Sequence, residues 1–196
     1  MKPHSALLVF AVAGLCDAQK LDLVNGSRVT SPDNRYAIVS SAAGTAFTHP
    51  SQISFVSLSD GKAQRLFTAD RVVQVVWSSR SREVAINDIA ANSGDFLYAY
   101  RIEADSTLRR LRRPNQHLTE HKLVSRHPKF RDLVRWSLYA ERWIDRDTVE
   151  ALIRGENYTN YMDPQRRDLK DFAYKWTIRF TGGSNFKILN EIPTTF

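Results

Sequence analysis

Between Phe172 and Phe180 the sequence alternates without a break. Phe172, Tyr174, Trp176, Ile178 and Phe180 are aromatic or aliphatic, and Ala173, Lys175, Thr177 and Arg179 stand between them. A strand points successive side chains to opposite sides, so this order gives one apolar and one wet face and predicts a half-buried strand. Gly182-Gly183-Ser184 then supplies a turn, and Phe186 to Leu189 reads as the returning arm of a hairpin. Phe96, Tyr98, Tyr100 and Ile102 alternate in the same way. Ile53, Phe55 and Leu58 lead into Ser59-Asp60-Gly61-Lys62, whose Asp-Gly pair favours the positive dihedrals of a tight turn. The fold class that follows is mainly β and mainly antiparallel.

Self-similarity orders these strands. Thr30-Ser31-Pro32-Asp33-Asn34-Arg35-Tyr36-Ala37-Ile38-Val39 aligns, 47 residues later, with Trp77-Ser78-Ser79-Arg80-Ser81-Arg82-Glu83-Val84-Ala85-Ile86. Each copy is a polar turn feeding an apolar strand. A further Trp-Ser pair stands at Trp136-Ser137, 59 residues on.

The first copy, together with Ile53 to Lys62 and Val76-Trp77-Ser78, resembles the WD40-like repeat of TolB-type β-propellers. In that family a Trp-Ser-Pro-Asp-Gly-Lys turn opens a strand, and a strand ending in Asp-x-x-Gly-Lys closes the blade. Residues 30–102 carry the resemblance, and 133–189 carry it more loosely. It implies about three propeller-blade-like units, hence a partial or open β-propeller, since closure needs at least four blades. It also implies that Trp77 and Trp136 pack between blades. The second copy departs from the pattern, with Ser79-Arg80-Ser81 where the family has Pro-Asp-Gly. Val84 to Asp88, Phe96 to Tyr100 and Trp143 to Val149 are similar in addition to a set of small exported bacterial proteins.

Residues 1–18 read as a secretory signal peptide. Lys2 and His4 precede the apolar run Ala6 to Leu15, and Cys16-Asp17-Ala18 places small side chains three and one before a cut after Ala18. Lipidation at Cys16 is disfavoured because Leu15, not a small residue, precedes it. Cleavage removes the only cysteine and leaves the net charge of +7 unchanged. The remaining chain, residues 19–196, is then one β-rich domain, secreted or periplasmic, with no disulfide. The full 196-residue sequence, with 42% hydrophobic and 25% charged residues, has a globular composition, and no second apolar run reaches membrane-spanning length. Asn25-Gly26-Ser27 and Asn157-Tyr158-Thr159 fit the glycosylation pattern, which matters in a eukaryotic host.

Alternation fails between Leu108 and Tyr139, which predicts a long connection with room for a short helix. Asp147 to Glu150 fits a helix cap with Gly155 as stop, but the surrounding pattern favours a strand over Thr148 to Ile153. The connection is basic. Arg109, Arg110, Arg112 and Arg113 are followed by Lys122, Arg126, Lys129, Arg131 and Arg135, and the sequence pI is near 9.7. The stretch reads first as a solvated basic loop and second as a contact surface, which in an exported protein suits an acidic protein or another envelope component rather than nucleic acid.

Oxygen-bearing residues flank two loops, Asn87, Asp88 and Asp95 at one and Asp145 and Asp147 at the other. They read first as turn residues bonding their own backbone and second as a binding surface, because neither loop has a calcium-loop pattern. His117 and His121 are four apart without the glutamate placement of a metalloprotease, so they read as solvated loop histidines. No metal ligand, cofactor or catalytic residue is assigned: no nucleophile elbow or phosphate-binding glycine loop is present. The resulting expectation is a non-enzymatic binding module. The alternatives are a hydrolase whose Asp88, Asp145 and Asp147 gather in a groove at the strand ends, and a secreted inhibitor or immunity protein.

Overall fold

The computed structural model describes residues 20–24, 26–41, 51–69, 73–89, 94–130, 135–156 and 171–195. The chain is mainly β, as its alternation predicts. Fourteen strands are described: β1 (Lys20–Leu23), β2 (Arg28–Thr30), β3 (Tyr36–Ser41), β4 (Ser51–Ser57), β5 (Ala63–Ala69), β6 (Val73–Trp77), β7 (Glu83–Asp88), β8 (Gly94–Asp95), β9 (Leu97–Ile102), β10 (Leu108–Arg112), β11 (Arg135–Trp143), β12 (Thr148–Glu156), β13 (Phe172–Gly182) and β14 (Asn185–Thr194). One α-helix, α1 (Gln116–Arg126), and a 3-10 turn at Pro128–Phe130 lie in the connection between β10 and β11. Residues 148–156 are strand, not helix.

Three sheets result, ordered β2-β3-β4-β5, β1-β6-β7-β9-β10 and β14-β13-β12-β11-β8. Each contains four strands paired antiparallel in chain order. The middle sheet gains β1 at one edge, and the last gains the two-residue β8 in parallel.

Burial shows how the sheets stack. Val75, Trp77, Val84, Ile86, Tyr100 and Ile102 share a core with Val29, Tyr36, Ile38, Ile53 and Phe55 of the first sheet. The intervening residues Val76, Ala85, Leu97 and Ala99 share another with Trp136, Leu138, Ala140, Val149, Trp176 and Ile178 of the last. The middle sheet is therefore apolar on both faces, which explains why β7 reads as the near-continuous run Val84-Ala85-Ile86.

Tryptophans join the layers. Trp77 is 1% exposed and Trp176 0%; at about 25 cal/mol per Å², each such burial contributes up to roughly 5 kcal/mol. The Trp77 indole Nε1 donates to the Val29 carbonyl of the first sheet at 3.4 Å, and the Trp143 indole to the Val76 carbonyl of the middle sheet at 3.0 Å. Val29 and Val76 occupy the same place in successive sheets, next to the last residue of each leading strand.

The two sequence copies build one turn. Ser31 N–H donates to Tyr36 O at 2.8 Å and Ser78 N–H to Glu83 O at 2.9 Å. Asn34 and Ser81 both take φ of 57°. Arg35 O then accepts from Leu58 N–H and Arg82 O from Ile102 N–H, each at 2.8 Å. The third copy begins at Trp143, not at Trp136-Ser137. There the Ile144 N–H donates to Thr148 O, and Asp147 O accepts from Phe180 N–H, both at 2.9 Å. Trp136 is still core, 4% exposed, but it lies near the start of β11 instead of at the turn. The Trp136-Ser137 pair resembles the repeat word but opens no turn, while the third turn is one residue shorter and has no serine at its start.

Antiparallel order sends the tight turns described within the four-stranded meanders to one end of the stack, while the β1–β2 turn, where Ser27 N–H donates to Val24 O, lies at the other. The opposite end takes the connection that carries α1. Asn115 caps this helix by accepting from Leu118 N–H at 3.0 Å, and Thr119 and Leu123 anchor it.

Candidate interaction surface

The basic stretch divides when it becomes β10. Arg109 and Arg110 point into solvent from the outermost strand of the middle sheet, and Arg113 follows them, also exposed. Arg109 pairs with Glu103 at 2.7 Å, both half exposed or nearly so. Arg112, expected at the surface, is 0% exposed. A register shift between Arg110 and Arg112 turns its side chain inward.

Inside, Arg112 and Asp95 form the centre of a closed polar cluster. The guanidinium pairs with both carboxylate oxygens of Asp95, with Nη1 at 2.8 Å from Oδ1, and Nη1 also donates to Leu97 O at 2.6 Å. Asp95 accepts further from Thr119 Oγ1 at 2.6 Å, Asn115 N–H at 3.1 Å and Leu97 N–H at 3.2 Å. The Phe186 ring lies 4.9 Å beneath the guanidinium. This cluster fastens α1 to β8, β9 and β10, so Asp95 and Arg112 hold the fold and are not available to a partner. One oppositely charged, bidentate partner compensates the burial of each.

Asn87 is likewise 0% exposed. Its amide donates to Ala140 O at 2.9 Å and its carbonyl accepts from Ala140 N–H at 2.8 Å, joining the middle and last sheets. Ala85, Ala99, Ala140 and Ala151 are all buried in this interface, and their small size lets the sheets approach within reach of that side chain.

The three carboxylates of the hydrolase alternative do not gather. Asp147 belongs to the turn end, where Arg101 Nη2 binds its carboxylate and donates to Arg146 O at 2.5 Å. Arg101 pairs across the sheet with Glu83, the first residue of β7. Asp88 is the last residue of that strand, roughly 16 Å further along. Asp145 stays with Asp147, accepting its N–H at 2.8 Å. Burial alone would raise the Asp145 carboxyl, but bonds from Asp147 and Thr148 and the Arg179 charge hold it below the usual range. Asp33 makes the matching bond to Arg35 N–H in the first sheet, so Asp145 serves as a turn residue.

His117 and His121 lie on α1, not in an open loop. With Glu120, Val124, Ser125 and Pro128 they line an open cleft of about 530 Å³. Among the described residues no three His, Cys, Asp or Glu side chains form a metal-holding group. Residues 1–18, Asn25, Asn157 and Arg131 lie outside the described residues, and no described helix is long and apolar enough to cross a membrane.

Two clusters escaped the sequence reading. Glu83 accepts from Ser78 Oγ at 2.8 Å and faces Arg101 at 3.9 Å. Glu191 accepts from the Trp176 indole at 2.6 Å and bonds His127 at 3.0 Å. Most of these partners are far apart in sequence or separated by ordinary strand residues, so no local word marks them.

No family model, curated protein or solved structure matches this chain.

Proposed function

We propose that the protein is an exported, non-enzymatic interaction module built from three propeller-blade-like units and related to the WD40-like repeats of TolB-type proteins. In support of the blade reading, four-stranded meanders follow one another, the same turn is rebuilt at equivalent positions, and an indole of one sheet binds the carbonyl of the sheet before it. The contact surface is the arginine-bearing outer strand of the middle sheet, and its partner is an acidic protein or envelope component. The observation that carries this is the exposure of Arg109, Arg110 and Arg113 on one edge after Arg112 has been taken into the core.

The deciding experiment is capture from an envelope extract by the wild type and by R109E/R110E/R113E. The variant is expected to keep the wild-type melting temperature and lose the captured partner; an unchanged partner set removes the surface. Sequencing of the secreted chain's first residues is expected to begin at Gln19.

A further inference from the structure

Helix α1 sorts its charged side chains by face. Lys122 reaches over the Phe186 ring, with Nζ 5.1 Å from its centre, and Arg126 Nη2 reaches Ile188 O at 3.5 Å. Both cations are thus directed toward β14. The other face presents His117, Glu120 and His121 to the cleft, followed by Val124 and Ser125. Helical periodicity produces this division: positions 117, 120, 121, 124 and 125 fall on one stripe, and 122 and 126 on its neighbour.

Two imidazoles four residues apart on a helix have Cβ atoms about 5–6 Å apart, which lets one nitrogen of each reach a single ion at about 2.0–2.1 Å. The chain supplies no thiolate here, and a pair of imidazole nitrogen donors does not suit calcium or magnesium, which take oxygen ligands. Glu120 lies between the two histidines in sequence and gives the cleft negative charge. No described cation lines it.

We propose that His117 and His121 chelate one divalent late transition-metal ion of the zinc type in this cleft. Two imidazoles hold it, water fills the remaining positions, and those positions are open to a ligand from another molecule. The site is thus a two-histidine chelate and not a closed four-ligand structural centre.

Calorimetric titration of Zn²⁺ into the full chain at pH 7.5, in a buffer that does not bind metal, tests it. One saturable site is expected. His117→Ala and His121→Ala should each weaken it by about tenfold or more. His49→Ala and His127→Ala should leave it unchanged. Circular dichroism on each variant separates loss of a ligand from loss of the fold. Binding that survives in both His117→Ala and His121→Ala, or no saturable binding up to about 1 mM Zn²⁺, overturns the proposal.

Discussion

The Trp143 indole donates to the Val76 carbonyl, and one sheet earlier Trp77 repeats the bond to Val29. The middle and last sheets are thereby each fastened to the sheet before by a bond that also satisfies a carbonyl in a buried interface. Replacing Trp143 by Phe removes the donor and leaves a void, and should cost about 2–3 kcal/mol in urea unfolding. Trp77→Phe should cost less, because its bond is longer. Equal losses in the two variants would mean that the indoles act only as bulk.

Arg112 and Arg110 are two residues apart and should behave oppositely. Arg112→Ala strands a buried Asp95 carboxylate and is expected to destabilise by about 3–5 kcal/mol, whereas Arg110→Ala should stay within about 0.5 kcal/mol. Replacing Asp95 and Arg112 together by Leu and Met should recover much of the loss. Chemical denaturation of the four proteins reads the result.

Asn87 carries both polar groups that bind Ala140. Asn87→Ala leaves a buried N–H and a buried C=O without a partner, an expected loss of about 2–4 kcal/mol. Hydrogen exchange should show the Ala140 amide losing protection. Unchanged protection there would show that another group satisfies it.

Asn34 sits at φ 57°, a region that favours residues without a branched Cβ. Asn34→Gly should be neutral or stabilise by up to about 1 kcal/mol, and Asn34→Val should destabilise by about 1–2 kcal/mol. Thermal melts distinguish them.

The pH limits have opposite signs. Burial pushes the Tyr100 hydroxyl up to about 12 from an ordinary 10.0. Because its folded value is raised, its contribution to stability is complete below pH 10 and disappears as pH climbs toward 12. Tyr100→Phe should flatten that decline in alkaline melts. Asp60 is the reverse. Bonds from Ser57 and Lys62 lower it from 3.8 to about 2, so its support for the β4–β5 turn persists above pH 3.8 and fades toward pH 2. Asp60→Asn should remove that part of the acid dependence.

Much of the fold was legible because alternation is a local property. The Phe172–Phe180 pattern marks β13, and Asp60-Gly61 marks a turn whose Gly61 takes φ of 69°. The surface was only half legible. Arg109, Arg110, Arg112 and Arg113 look alike as a string, and nothing in the string announces the register shift that turns Arg112 inward. Asp95 looked like a loop residue because its partners Arg112, Asn115 and Thr119 come from later elements.

The sequence by itself determined that this chain pairs into amphipathic strands with repeated polar turns, since side-chain alternation and turn dihedrals depend on neighbours along the backbone. Only the tertiary structure decided which polar residues remain free for chemistry. A charge becomes structural when folding brings a partner to it in the dry interior, as Arg112 does for Asp95, and that distant pairing has no local signature.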